Sequence, residues 1–331
     1  MSAPTALAQN ARNTTLPPFL RLPTEIRLMI YEHLLLPKSQ PEASSSCQSL
    51  EQMLQPDYHS CDQHYSSKRS VKSASATSPR ITVHIRTLDP SSTKPKPTTI
   101  RNRTPFSIRT SRFRSRTMGT TYFAPGSHNQ AIHPAILSVC RTTHAEAVDL
   151  LYGGALFCFG SHVDAVPAFL ADLTPRARAR VRRVALVKAP LPYDHGADLD
   201  DWAEACKALA GDLPGLAELR LGVVAGKPAR KRQGGWAGLR TISAAQFRTL
   251  SGPTPDGGSA DSVASGMLEW AGALMCVRGL ASLEVRPLVE HCPSPMSEGM
   301  AFWVTLSKNL EGGFAEWLRG LMVGRKGEHG A

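Results

Sequence analysis

Three short segments of this chain repeat one apolar pattern, and that repeat narrows the possible folds more than any other feature. Val181-x-x-Val184-x-Leu186, Leu216-x-x-Leu219-x-Leu221 and Leu280-x-x-Leu283-x-Val285 carry apolar residues at the same three positions. Two copies agree more closely: Gly215-Leu216-Ala217-Glu218-Leu219 against Gly279-Leu280-Ala281-Ser282-Leu283. The last two apolar positions of each copy are two residues apart, the period of a strand with one buried face. A stretch with helical spacing precedes each copy, at 162–173, 199–211 and 264–278. Strands joined through helices are parallel neighbours, because a crossover returns the chain to the same end of the sheet. The expected fold class is therefore α/β with a parallel sheet.

The copies are spaced by 35 and then 64 residues, so the array is irregular: a leucine-rich-repeat-like α/β domain. The longer gap holds a basic, glycine-rich stretch at 227–238 and a turn-rich one at 251–258. Two final helices, near 297–310 and 314–323, should close the open end with Phe302, Trp303, Leu306, Phe314, Trp317 and Leu318. Upstream, an amphipathic helix from Pro134 carries Ile136, Leu137, Val139, Cys140, Ala147, Val148 and Leu151, and ends at Gly153-Gly154. A brief strand at 155–159 follows. Next comes a helix over 162–173 that points Val163, Val166, Phe169 and Leu170 inward and tolerates an early Pro167.

A separate helix is expected over 19–36, FLRLPTEIRLMIYEHLLL. Pro23 suits its first turn and Glu25 suits the positive end of its dipole. Ile26, Met29, Ile30 and Leu34 form an apolar stripe, flanked by Leu22 and Leu35. Between this helix and Pro134 the chain is dense in Ser, Thr, Pro, Lys and Arg. Such a composition buries too little apolar surface to offset the entropy of ordering. The expectation is a long disordered insert over 38–133, with one short strand at 80–88 where Ile81, Val83 and Ile85 alternate with polar residues. The domain plan is thus a polar leader at 1–18, a helix at 19–37, the insert, an α/β domain at 134–325 and a tail at 326–331.

Charge follows the same division. The chain carries a net +11, but residues 63–131 hold thirteen Lys or Arg against one acid, Asp89. The remainder is slightly acidic, so the basicity belongs to one segment rather than to the fold. The densest part, Arg101 to Arg116, has six arginines, Arg101, Arg103, Arg109, Arg112, Arg114 and Arg116, with Phe106 and Phe113 among them. Arginine clamps phosphate and stacks on bases. The alternative functional reading is therefore a nuclear or nucleic-acid-associated protein acting through this insert. A solvated linker or an import signal explains the same residues. Seven scattered cysteines, and no secretory leader or bilayer-length apolar run, point to reduced thiols in the cytoplasm or nucleus and to no membrane span. Cys140, Cys158, Cys206 and Cys276 read as small buried residues.

Two segments carry a family resemblance. The first has Leu22-Pro23, Glu25, Ile26, Arg27, Ile30 and Tyr31 with a leucine-rich end. The second has Cys140-Arg141, Ala145-Glu146-Ala147, Leu150-Leu151-Tyr152 and a closing Phe157-Cys158-Phe159. Together they resemble the F-box-like proteins of fungi, split here by the insert. The resemblance implies a helical motif packed on the α/β domain, a Skp-type adaptor of a cullin-type ubiquitin ligase as partner, and a protein substrate held by the rest. It assigns Leu22, Pro23, Ile26, Ile30 and Leu34 to the adaptor, with Met29 on the same stripe. One apolar stripe also serves to pack a helix into its own core, so both readings of 19–36 stand.

No nucleophile elbow, metalloprotease helix, phosphate loop or dinucleotide fingerprint occurs, so the chain reads as non-catalytic and without a cofactor. Cys47, His59, Cys61 and His64 are ligand types placed close together, yet their spacing matches no zinc pattern, and no metal is expected. Asp194, Asp198, Asp200 and Asp201 are explained by the start of a helix, where negative charge is favourable.

Overall fold

The apolar repeat is a sheet register. In the computed structural model, Val184 stands beside Leu219 and Leu219 beside Leu283, while Leu186, Leu221 and Val285 form the next row. The leading residues of the three copies, Val181, Leu216 and Leu280, are buried too. The structure describes residues 17–36, 82–88, 101–111, 114–123, 133–188, 196–228, 239–251 and 259–324. The tail, most of the leader, residues 38–80, the four potential metal ligands and Arg112 lie outside the described residues.

Seven strands make up the sheet: β1 (Thr82–Leu88), β2 (Arg101–Ser111), β3 (Arg114–Phe123), β4 (Leu156–Gly160), β5 (Arg183–Lys188), β6 (Glu218–Pro228) and β7 (Ser282–Cys292). Their order is β2-β3-β1-β4-β5-β6-β7. Strands β1, β4, β5, β6 and β7 run parallel. The β2–β3 pair is antiparallel and joins the outer side of β1. The architecture is thus mixed α/β, with five parallel strands and an antiparallel pair at one edge.

The expected strand at 80–88 is present as β1. Expecting only disorder elsewhere in the insert missed β2 and β3. Both are rich in Thr, Ser and Arg, so the apolar alternation that betrays a half-buried strand is diluted. Pro105 argued further against a strand, since proline donates no ladder hydrogen bond. It is tolerated because β2 is the last strand of the sheet and Pro105 adjoins a register shift after Asn102.

Among the described residues nine helices accompany these strands: α1 (Thr24–Leu35), α2 (Arg141–Gly154), α3 (Ala165–Asp172), α4 (Pro175–Arg180), α5 (Gly196–Asp212), α6 (Ala244–Leu250), α7 (Ser259–Leu274), α8 (Glu298–Asn309) and α9 (Ala315–Met322). Pro167 lies in the first turn of α3, where no intrahelical donor is lost. One face of the sheet, with Phe157, Val184, Leu219 and Leu283, packs on Phe169 of α3, Trp202 of α5, Leu274 of α7 and Trp317 of α9. Trp202 meets Trp270 edge-on at 5.8 Å and donates its indole N–H to the Trp270 carbonyl at 2.8 Å. The final helices supply the expected closing residues: Trp303, Leu306, Phe314, Trp317 and Leu318 are all buried.

Alternation along β6 sends Val224 and Gly226 to the other face of the sheet. There Val224 joins Leu288 of β7 and Trp303 and Val304 of α8 in a smaller apolar cluster. The Trp303 indole donates to the Val224 carbonyl at 3.2 Å. Nearer the start of the strands the same face carries a charge ladder. Arg183 meets Glu218 at 3.6 Å, Glu218 meets Arg220 at 2.7 Å, Arg220 meets Glu284 at 3.4 Å, and Glu284 pairs with Arg286.

Several local expectations need correction. Pro23 is the residue before α1 rather than its first residue, and a separate 3₁₀ turn, Pro18–Arg21, precedes it. The segment from Pro134 is likewise a 3₁₀ turn, Pro134–Ser138, and α2 begins only at Arg141. Val139, in the break between them, is 64% exposed. Of the four cysteines expected inside, only Cys206 is buried; Cys140 and Cys158 are partly covered and Cys276 is exposed.

A Cβ at Gly226 would stand 2.6 Å from the Trp303 ring. Gly226→Ala should therefore destabilise the protein by about 1–3 kcal/mol, read as a lower urea midpoint with an unchanged slope. Gly266→Ala, inside α7 with nothing within 4 Å of the added carbon, should raise stability by about 0.5–1 kcal/mol, read as a higher urea midpoint.

Candidate functional site

Helix α1 presents two different apolar faces. Tyr31 and Leu35 are fully buried and Arg27 nearly so, at the i, i+4, i+8 spacing of one helical face. Tyr31 and Leu35 pack on Ala147 and Leu151 of α2. The stripe singled out in the sequence lies elsewhere on the helix. Leu22, Ile26 and Met29 are 36%, 42% and 59% exposed. Pro23 is exposed as well, and Ile30 and Leu34 are half-buried. The face that closes on the chain itself is thus a different one from the stripe, and Ile26 and Met29 of the stripe are left in solvent.

A polar knot sets that orientation. The Arg27 guanidinium donates to both oxygens of Glu146, at 3.0 Å through Nε and 2.5 Å through Nη2. Its Nη1 donates to the Leu22 carbonyl at 2.5 Å, and Nη2 also reaches Thr24 Oγ1 at 3.1 Å. The Tyr31 hydroxyl donates to the same Glu146 carboxylate at 3.0 Å. Arg27 therefore ties the approach to α1, α1 itself and α2 together through one planar group. Contacts advance along both helices in the same sense, from Arg27–Glu146 to the close approach of Leu36 and Gly154. A backbone bond from His133 to the Leu34 carbonyl at 2.9 Å joins the two segments again at the end of α1.

The electrostatics follow from the geometry. Hydrogen bonds from Arg27, then from Tyr31, hold the Glu146 carboxyl below its ordinary range against the opposing cost of burial. Burial, aided by the bond to Glu146, pushes the Tyr31 phenol up. Sequence reasoning passed over all three residues because they are polar and the apolar stripe drew attention away. The signal was present: Arg27 and Tyr31 share a helical spacing with Leu35, and Glu146 lies in the second matched segment.

Cys140 begins α2. Its sulfur accepts from the Thr143 amide at 3.4 Å, and the adjacent Thr143 hydroxyl lowers its pKa. Beside it is an open hollow of about 420 Å³, lined by Leu137, Cys140, Arg141, His144 and Arg176 among others. Arg176 is engaged by the Ala145 carbonyl and Asp149.

The remaining candidates separate. Among the arginines of the basic run, Arg101, Arg103 and Arg109 lie on β2, and Arg114 and Arg116 on β3. Asp198 occupies the first turn of α5, as the dipole argument expects. Asp201 differs: burial, then Asp164 and Asp198, raise its carboxyl to about 6. Among the described residues no group of His, Cys, Asp or Glu is arranged to hold a metal, and no helix is long and apolar enough to cross a membrane. Comparison of the chain with protein-family models, curated proteins and solved structures yields no match.

Glu146→Gln leaves Arg27 without its counter-charge. It should lower stability by about 2–3 kcal/mol at neutral pH, measured by urea unfolding. Because Glu146 titrates lower in the folded chain than unfolded, its contribution is complete above the unfolded value of about 4.3. It fades as pH falls through the lower folded value. The gap between wild type and variant should therefore be constant from pH 7 to about 5 and close in more acidic solution.

Proposed function

We propose that this chain is an F-box-like interaction protein, whose first helix docks a Skp-type adaptor of a cullin-type ubiquitin ligase while the α/β domain holds a protein substrate. The observation that carries this reading is the exposed stripe of α1. Leu22, Ile26 and Met29 remain in solvent although the same helix buries Tyr31 and Leu35 completely. A helix serving only its own core has no need of a second apolar face, and exposed apolar groups that recur at helical spacing are the form taken by helix-in-groove recognition. The matched residues Leu22, Pro23, Ile26, Ile30 and Leu34 lie on or beside this face, with Met29 among them. Arg27 and Tyr31 of the first segment meet Glu146 of the second, so the two matched segments pack as one helical unit despite the insert.

Ile26→Asp combined with Met29→Asp places two charges on the exposed face without touching the packing of Tyr31 and Leu35. Purified Skp-type adaptor should be captured by the wild-type chain, and the double variant should bind at least ~100-fold more weakly, the scale of two lost apolar anchors. Circular dichroism and the urea midpoint should be unchanged in the variant. Adaptor that is not retained by folded wild type, or is retained equally by the variant, would count against the proposal.

A further inference from the structure

We infer that the hollow at the start of α2 is a binding site for a phosphate monoester. The site uses none of the exposed stripe of α1 and is independent of the adaptor reading. The hollow, about 420 Å³, lies where the 3₁₀ turn Pro134–Ser138 leads into α2. Leu137 and Ala145 give it an apolar wall, and Arg141, His144 and Arg176 bring three nitrogen-bearing side chains to it. Among the described residues, none that lines it is acidic. Arg141 is exposed and, among the described residues, makes no hydrogen bond or ion pair. His144 Nδ1 lies 2.9 Å from the Leu137 carbonyl. A carbonyl only accepts, so Nδ1 carries the hydrogen, and the bond fixes the ring while leaving Nε2 for a ligand. Arg176, from α4, is steadied by the Ala145 carbonyl at 3.0 Å and by Asp149 at 3.7 Å.

The charge balance selects the ligand. Arg176 and Arg180 share one carboxylate, Asp149, at 3.7 and 2.9 Å. Glu146, on the same helix, is already bound by Arg27 and Tyr31, and Arg178 reaches to Asp212. Arg141, Arg176 and Arg180 against Asp149 therefore leave two positive charges uncompensated around the hollow. A phosphate monoester carries roughly −1.5 to −2 at neutral pH and presents three acceptor oxygens. A carboxylate brings a single charge on two oxygens and would leave part of the excess in place. Each planar guanidinium can hold phosphate through two parallel donors, and the imidazole supplies a further one when protonated. The positive end of the α2 dipole adds to the same field, but side chains from two helices make the site. The apolar wall of Leu137 and Ala145 suits the organic side of an ester, in the usual manner of a pocket with a few convergent polar groups.

The test uses the full chain and calorimetric titration with N-acetyl-phosphoserine amide at neutral pH. Saturable single-site binding with a Kd on the order of 1 mM is expected. Arg141→Gln should weaken it about 10-fold, the scale of one lost hydrogen bond to a charged group. Because Arg141 makes no contact within the described protein, the urea midpoint should stay in place, so the loss reports the ligand and not the fold. Arg178→Gln, whose guanidinium reaches to Asp212, should bind as the wild type does. The monoester should also slow alkylation of Cys140, which lines the hollow, and leave that of exposed Cys276 unchanged, read by peptide mass spectrometry. Two supporting outcomes assign the source of the phosphate. A short phosphoserine peptide with neutral flanks that binds more tightly than the capped amino acid points to a phosphorylated protein segment, and equal binding points to a small phosphorylated molecule. Absence of binding by the folded wild type up to about 20 mM, well above that Kd, would overturn the inference. So would equal binding of N-acetyl-aspartate amide, or unchanged affinity in Arg141→Gln. Adaptor capture by Arg141→Gln should match the wild type, so failure here leaves the reading of α1 standing.

Discussion

The structure depends on the register in which β5, β6 and β7 lie side by side. Leu219 sits between Val184 and Leu283, and Leu221 between Leu186 and Val285. All six side chains are buried on the helix-covered face. The intervening positions carry Arg183, Glu218, Arg220, Glu284 and Arg286, joined in a ladder on the opposite face. Side chains alternate with a period of two, so slipping any strand by one residue would drive charges into the core and leucines into solvent. Each exposed pair in the ladder contributes at most about 1 kcal/mol. Its importance is discriminatory: the native register sets Arg183 and Arg220 each opposite a carboxylate of the neighbouring strand, while Arg286 pairs with Glu284 along its own strand. Apolar rows and charge rows thus specify the same alignment from opposite faces.

The pairing of α1 with α2 is a different kind of problem, because Arg27 and Glu146 are 119 residues apart. Closing a loop several times longer than a short connection costs only about 1–2 kcal/mol more, since the entropy grows with the logarithm of length. Burial of Tyr31 and Leu35 contributes roughly 1.5–3 kcal/mol each, which is enough to hold the helix in place. The Arg27–Glu146–Tyr31 knot then decides which way the helix is turned. Apolar contacts alone would be satisfied nearly as well by the Ile26–Met29–Ile30 stripe. The guanidinium and the phenol must reach one carboxylate, and only one rotation of α1 allows it. A buried polar group here selects among apolar alternatives instead of adding much stability of its own.

How much of this could be read from the sequence depended on where the information resides. The parallel strands were legible because leucine and valine recur at fixed offsets, and the same rows turn out to be neighbours in space. The closing helices were legible for the same reason. Helices α4 and α6 were passed over because they are short, although Thr174-Pro175 and Ser243-x-x-Gln246 are ordinary helix-start signals, and both caps are formed. Which face of α1 turns inward was not legible from hydrophobicity, since both faces of the helix are apolar. The deciding residues were polar, and their partner lay beyond the insert. Strands β2 and β3 were obscured by composition: a segment crowded with arginine, serine and threonine resembles a solvated linker, and pairing with β1 is a tertiary fact that no local window contains.

A similar contrast bears on how the sheet keeps its two faces distinct. Burial on the helix-covered face and ion pairing on the opposite face draw on different physics. Burial of Leu219 and Leu221 responds little to salt, whereas exposed ion pairs weaken as counterions screen them. The charged residues near the start of the parallel strands are paired with one another. Net charge alone misleads for this chain: the excess belongs to residues 63–131, and the rest of the chain is close to neutral.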